Sequence, residues 1–307
     1  MTGAAWRYVY TSVRGTGHIG SDLPCQDASR VLLAINSQDE PLLLLVASDG
    51  AGSAAQSEEG SRMVCEEVVK FLALRFNAAE YRPAGDLGVE IAHTLRGQLV
   101  TLAEDLGCSL RDLACTLSVA VLLSDWAWFM QIGDGAIVVQ RSVADPFEVV
   151  FWPDNGEYAN QTYFLTDVPD AHVHTRLDER PLDRVSVITD GLQTLALVLA
   201  EQRAHPPFYL PMFGTLEAAP GGGEQAHRVL VPALSGFLDS SGINARTNDD
   251  KTLILASRVP TAVPEKPSGL LGDSELAVTG DVPERQAPTP AEDAPSPAAP
   301  EALPEHA

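Results

Sequence analysis

Four acidic signatures sit at the ends of apolar, strand-like runs. Residues 42–48 lead into Asp49-Gly50, residues 127–133 into Asp134-Gly135, and residues 185–189 into Asp190-Gly191. A fourth pair, Asp249-Asp250, precedes the run 252–256. Strand ends are rigid anchor points, so carboxylates placed there can be gathered with little flexibility. Several strand-end acids with no basic residue in the pairs suit hard divalent cations, because Mg²⁺ and Mn²⁺ favour oxygen ligands in octahedral geometry. Asp-Gly is also a favoured turn pair. Asp49-Gly50 and Asp190-Gly191 each run on toward a helix rather than a return strand, which favours the metal reading. Asp134-Gly135 lies between two strand-like runs and fits a hairpin turn as well as a ligand. Asp249 gains weight from its company; alone it would read as an ordinary loop acid.

The elements that must position these acids come from periodicity. Alternation predicts strands at 6–13, 30–36, 42–48, 184–189 and 251–257, with another at 147–152. Residues 115–123, 126–133 and 137–140 read as a strand meander. Residues 14–27, rich in Gly, Ser, Thr and Pro, form a long loop. Residues 58–76 carry an apolar stripe through Met63, Val64, Val68, Phe71, Leu72 and Leu74, and residues 89–106 another through Ile91, Leu95, Leu99 and Leu102. Both predict amphipathic helices, packed as an antiparallel pair over one sheet face. Helices are also predicted at 192–201 and 224–238, with a turn-rich stretch at 206–223. Strands and helices come in groups without regular βαβ alternation. That pattern predicts an α+β sandwich of two mixed or antiparallel sheets.

The chain has 307 residues and a net charge of −22. From Val259 onward there are ten prolines, nine acids and two bases, leaving −15 on the rest. A segment so poor in apolar surface does not offset its ordering entropy, so 259–307 reads as a disordered acidic tail and 1–258 as the folded body. No basic patch is visible, which argues against nucleic acid. No apolar stretch reaches membrane-span length, and the N-terminus lacks a leader pattern. Cys25, Cys65, Cys108 and Cys115 show no Cys-x-x-Cys spacing, as expected of reduced thiols in a cytoplasmic protein.

The motifs fall in a fixed order: Gly15-Thr16-Gly17-His18, Pro24-Cys25-Gln26-Asp27-Ala28, Asp49-Gly50-Ala51-Gly52, Ala114-Cys115-Thr116, Ile132-Gly133-Asp134-Gly135, Thr189-Asp190-Gly191-Leu192 and Asn248-Asp249-Asp250-Lys251-Thr252. This series resembles the metal-dependent, or type 2C, protein phosphatases across residues 6–257. It looks most like a bacterial subgroup often found beside a von Willebrand A-domain protein and a Ser/Thr kinase. The resemblance implies an α-β-β-α architecture, a central β-sandwich flanked by helix pairs with two Mn²⁺ or Mg²⁺ ions at one end. It implies that Asp49 bridges both ions and the Gly50 carbonyl ligates one. Asp190 and Asp249 complete the other, and Asp134 with Asp190 forms a looser third position. Asp27 is expected near the second ion, acting through water. Thr116 matches a small residue beside the site, and the position of Asp250 often holds Asn. The run 156–160 resembles the subgroup without an assignable chemistry.

The implied reaction is hydrolysis of phosphoserine or phosphothreonine in a partner protein, a kinase among the candidates, by a hydroxide between the ions. No nucleophilic Ser or Cys is needed. Asp22 stands where many members carry a phosphate-gripping Arg, leaving Arg14 or His18 as substitutes. Ala51 replaces a general-acid His, and Gly135-Ala136 an Arg. These departures keep a second reading open, a binding module of the same fold with weak or absent catalysis. A third is a two-metal hydrolase of small phosphate esters. His172 and His174 could share a strand face, but with no third ligand apparent they read as surface.

Overall fold

The computed structural model describes residues 4–77, 81–83, 85–154 and 162–260. The run 156–160 and the expected tail from 261 onward lie outside them. In chain order the strands are β1 (Ala4–Val13), β2 (Ala28–Ile35), β3 (Pro41–Ser48), β4 (Leu117–Leu122), β5 (Ala127–Ile132), β6 (Ala136–Gln140), β7 (Glu148–Val149), β8 (His174–Asp178), β9 (Arg184–Ile188), β10 (Leu197–Val198), β11 (Arg203–Ala204) and β12 (Lys251–Pro260). The helices are α1 (Thr16–Gly20), α2 (Ser57–Asn77), α3 (Leu87–Leu106), α4 (Gln193–Ala196), α5 (Pro206–Ala218), α6 (Gly223–Leu238) and α7 (Ser241–Asn244). Two five-stranded sheets, ordered β1-β12-β9-β6-β7 and β2-β3-β4-β5-β8, form the centre. The ladders between these strands are antiparallel.

The continuous apolar run of β3 explains the layering. Leu42, Leu44 and Val46 pack with Val64, Val68 and Leu72 of α2 and Ile91, Leu95 and Leu99 of α3. The alternate residues Leu43, Leu45 and Ala47 face the other sheet, against Val185, Val187, Ile254 and Ala256. On the far side, Leu253 and Leu255 of β12 pack with Tyr209, Phe213 and Leu216 of α5 and Ala226 and Leu234 of α6. Side chains alternate across a strand, so a run buried on both faces marks a sheet sandwiched between two other layers. The result is the α-β-β-α order. Each fully buried Leu contributes about 1.5–3 kcal/mol, so the three apolar layers dominate the fold's stability.

Several expectations need correction. The meander breaks after β5: β4 and β5 pair in one sheet, but β6 pairs with β7 and β9 in the other. Asp134-Gly135 is therefore a crossover between sheets, not a hairpin turn. The turn-rich stretch contains the 13-residue helix α5. Pro206 and Pro207 occupy its first turn, where an N–H would have no intrahelical partner, and burial of Tyr209, Phe213 and Leu216 outweighs the bond lost at Pro211. The helix expected at 192–201 ends at Ala196 and gives way to the small hairpin β10–β11, with Gln202 at φ 47°. The strand expected at 147–152 shrinks to β7. Leu74 is exposed despite its place in the stripe. β12 runs two residues past the expected boundary at 258, and Val259 is buried opposite Ala5.

Candidate metal centre

The strand ends deliver their acids to one cleft of about 420 Å³. Asp49 follows β3, Asp134 follows β5 across Gly133, and Asp190 follows β9 across Thr189. One carboxylate oxygen from each lies within 4.8 Å of the others. Gly50, Thr116, His18 and Asp249 line the same cleft. Among the described residues, the charge gathered there thus meets no Lys or Arg in the lining.

Local hydrogen bonds fix each acid. The Asp49 N–H donates to Thr116 Oγ1 at 3.0 Å, and the Thr116 N–H donates back to the Asp49 carbonyl at 2.8 Å. Thr116 was expected beside the chemistry, and its hydroxyl is engaged in positioning Asp49. Thr162 donates to Asp134 Oδ2 at 2.7 Å, and Gln193 to the Asp134 carbonyl at 2.6 Å. Among the described residues no hydrogen bond ends on the Gly50 carbonyl, which leaves that oxygen available to a cation. Two glycines permit the close approach of these loops. Gly133 has φ +94°, a left-handed conformation that L side chains rarely adopt. A Cβ on Gly191 would lie 1.9 Å from the Asp250 carbonyl oxygen, so the Asp190 loop packs backbone to backbone on the Asp249–Asp250 loop.

Asp27 is not in the cleft lining. It lies buried behind it, and its Oδ2 accepts from Thr189 at 2.8 Å and Thr252 at 2.7 Å, joining the two sheets. Its Oδ1 is buried without a hydrogen-bond partner. Asp249 lines the cleft but stands outside the group of three, with Oδ1 accepting from the Asp250 N–H at 2.8 Å. The residue that sequence reasoning set aside, Asp250, is the buried clamp of the loop. Its two oxygens accept from the N–H groups of Gly15 and Gln26, each at 2.5 Å. His18 Nδ1 lies 2.9 Å from Asp250 Oδ2, without aligned hydrogen-bond geometry. Thr162, Thr189 and Thr252 also went unseen. Thr189 adjoins Asp190 and Thr252 lies two residues after Asp250, signals too common to single them out, and Thr162 has no acid near it in the sequence. Arg14 donates to the His18 carbonyl and sits 3.8 Å from Asp22, away from the cleft lining.

Crowding shows in the titration of these acids. Burial, then the charges of Asp27 and Asp190, hold Asp49 well above the usual carboxylate range. Burial, with Asp134 adding to it, pushes Asp190 up to about 6 against a hydrogen bond from Asp49. Burial also raises Asp27 to about 8, although Thr252 and Thr189 pull it back. Asp134 is raised by burial too, with Thr162 opposing. Like carboxylates driven out of water favour protonation unless a cation replaces the protons. An all-oxygen donor set, a free carbonyl and an unpaired buried Oδ1 fit hard divalent ions.

Comparison with known proteins agrees with this geometry. The family model described as Protein phosphatase 2C matches residues 14–238. Serine/threonine-protein phosphatase 3 of Escherichia coli (strain K12) is 37% identical over 254 residues, covering 82% of this chain and 98% of that protein. The serine/threonine phosphatase Stp1 from Staphylococcus aureus aligns over 83% of this chain and 96% of its own, with TM-score 0.50 and 18% identity. The catalytic domain of the serine threonine protein phosphatase PstP, solved with two manganese ions, aligns over 84% and 100% with TM-score 0.50 and 18% identity. At such identity the solved structures speak for the fold alone.

Proposed function

This chain belongs to the protein phosphatase 2C family, and from that premise we propose that it is a Mn²⁺- or Mg²⁺-dependent phosphatase of phosphoserine and phosphothreonine in proteins. The observation that carries the reading is the cleft itself, where Asp49, Asp134 and Asp190 converge with no Lys or Arg in the lining. A phosphate dianion entering such a cleft is repelled until divalent ions are in place. Convergence supports Asp49, Asp134 and Asp190 as ligands, with the Gly50 carbonyl beside them and Asp249 reaching from the rim. Bound divalent ions supply Lewis-acid polarisation of the phosphoryl group and a lowered pKa for water.

The chain's own residues do the rest. Thr116 and Asp49 lock each other's backbone, so the carboxylate stays in place through turnover. Asp27, tied to Thr189 and Thr252, orients the strand ends behind the cleft. His18 turns Nδ1 to Asp250, which leaves Nε2 to pass a proton to the leaving serine or threonine oxygen. That role covers the general-acid histidine missing at Ala51, at a typical value of about 10²–10⁴-fold.

The partner is a phosphorylated protein, with a Ser/Thr kinase and a von Willebrand A-domain protein as the candidates to try first. No helix among the described residues is long and apolar enough to cross a membrane, which fits a cytoplasmic role. The test is phosphopeptide hydrolysis by chelator-stripped protein, with and without Mn²⁺. Activity that returns with Mn²⁺ supports the reading. Stoichiometric Mn²⁺ binding without hydrolysis would favour the binding module suggested by Ala51 and Asp22. Hydrolysis of small phosphate esters in preference to phosphopeptides would favour the third reading.

A further inference from the structure

A second cluster of ligating side chains lies outside the acidic cleft. His172 and His174 do have a third partner, Asp154, which corrects their reading as unconnected surface residues. His172 Nδ1 and His174 Nε2 each lie 2.8 Å from the same oxygen, Asp154 Oδ2. One ligand atom from each residue falls within 4.8 Å of the others.

The rings are held from different sides. Tyr163 stacks on His172 with centroids 3.7 Å apart, and Phe151 lies 5.9 Å from His174. His174 is fixed in β8, where it pairs with Gln131. The two imidazole planes stand at 81° to each other, so they converge on one point instead of stacking. Here both nitrogens face Oδ2, and among the described residues no hydrogen bond ends on Oδ1. Side-chain exposures of 20–35% leave one side of the cluster open to solvent.

We propose that Asp154, His172 and His174 form a second metal site, selective for a borderline divalent ion such as Zn²⁺. Zinc bonds imidazole nitrogen at about 2.0–2.1 Å and carboxylate oxygen at about 2.0–2.2 Å, which these atoms reach by small side-chain shifts. Imidazole ligation suits Zn²⁺ over Mg²⁺, whereas the all-oxygen cleft has the opposite preference. Three protein ligands and one open position leave room for water or a substrate oxygen. The ion would also clamp the start of β8 to residue 154. The Asp154 N–H reaches the Gly133 carbonyl at 3.4 Å, next to Asp134, so the two sites share a backbone.

The test uses the full chain with Asp49→Asn and Asp190→Asn to weaken the cleft, stripped by chelator and dialysed against Zn²⁺. One equivalent of Zn²⁺ should remain bound. Co²⁺ in its place should give visible absorption bands of imidazole ligation. Adding His172→Phe, which keeps an aromatic ring against Tyr163, should lower Zn²⁺ affinity about tenfold or more and abolish the bands. His174→Gln should do the same, and circular dichroism identifies any variant that fails to fold. Failure of the parent to retain Zn²⁺, or equal retention by a folded His172→Phe or His174→Gln protein, overturns the proposal. Phosphatase activity plays no part in this readout, so the result stands apart from the assigned reaction.

Discussion

The acidic cleft and the His–Asp–His cluster solve opposite problems. The cleft draws oxygen donors from three strand ends spread over residues 49–190 and confines their charge where water is scarce. The cluster draws nitrogen and oxygen donors from residues 154–174, at the surface, and its polar atoms already bond one another. Burial tends to raise Asp154, but hydrogen bonds from His172 and His174 win and hold it below the usual range. In the cleft no Lys or Arg of the described lining opposes burial, and the acids are raised. A site that repels itself when empty gains most from its ion. A site already paired gains less, and must be recognised by convergence instead of by strain.

The largest effect should come from removing one cleft acid. Asp190→Asn should lower kcat/KM on a phosphopeptide by about 10²–10³-fold, as when one preorganised electrostatic contact is lost. The same change relieves like-charge crowding, so the chelated protein should melt at a higher temperature than the parent. Loss of activity together with loss of stability would mean that Asp190 is a structural residue. Steady-state kinetics and scanning calorimetry on one preparation separate the two.

Gly133 is where the regions meet. Its φ of +94° and a Cβ position 2.7 Å from Thr116 Cγ2 leave no room for alanine. Gly133→Ala should destabilise by about 1–3 kcal/mol, the usual range for a side chain forced into such a conformation. Because its carbonyl receives Asp154 and its successor is Asp134, both Mn²⁺ and Zn²⁺ affinity should fall. A variant that weakens only one metal would show the sites to be independent.

The regions should also respond to pH with opposite signs. Asp27 and Asp190 have folded values of about 8 and about 6, above the unfolded value of 3.8. The folded state then binds more protons than the unfolded state, so stability falls as pH rises. The chelated protein should lose melting temperature between about pH 4 and about pH 8, and Mn²⁺ should restore more at the upper end. Asp154, being lowered, contributes stability above its unfolded value and loses it as pH falls. Its window lies at and below the unfolded value of 3.8, so Asp154→Asn should lessen the loss of stability in acid and leave the slope toward pH 8 unchanged. A chelated protein whose melting temperature rises over that window would sink the crowding argument.

Much of the cleft was legible because strand period and Asp-Gly pairs are local signals. Asp49, Asp134 and Asp190 could be named from the runs that precede them. Other features depend on topology. Whether Asp134-Gly135 turns a hairpin or crosses between sheets is decided by which strand β6 pairs with, and no local pattern carries that. Asp249 and Asp250 are adjacent acids whose different fates are set by the N–H groups of Gly15 and Gln26, remote in sequence. Asp27 is expected near the second ion from its motif, but its bonds to Thr189 and Thr252 appear only in the fold. Asp154 lies in a polar stretch far enough from His172 that only the fold brings them together. Helix α5 stayed hidden because prolines that start a helix look, in sequence, like prolines that prevent one.

The smallest effect tests how the second site is held. Tyr163 stacks on His172 but supplies no ligand atom. Such a ring contact is worth about 0.5–1.5 kcal/mol. Tyr163→Ala should therefore weaken Zn²⁺ by no more than about tenfold, because 1.4 kcal/mol corresponds to one decade. The loss should be smaller than that from His172→Phe, with Mn²⁺ titration of the cleft as internal control. If Tyr163→Ala matches the ligand deletion, ring orientation and not ligand count governs the site. If it changes nothing, strand β8 and Asp154 alone hold the imidazoles in place, and the cluster is preorganised by backbone as the cleft is.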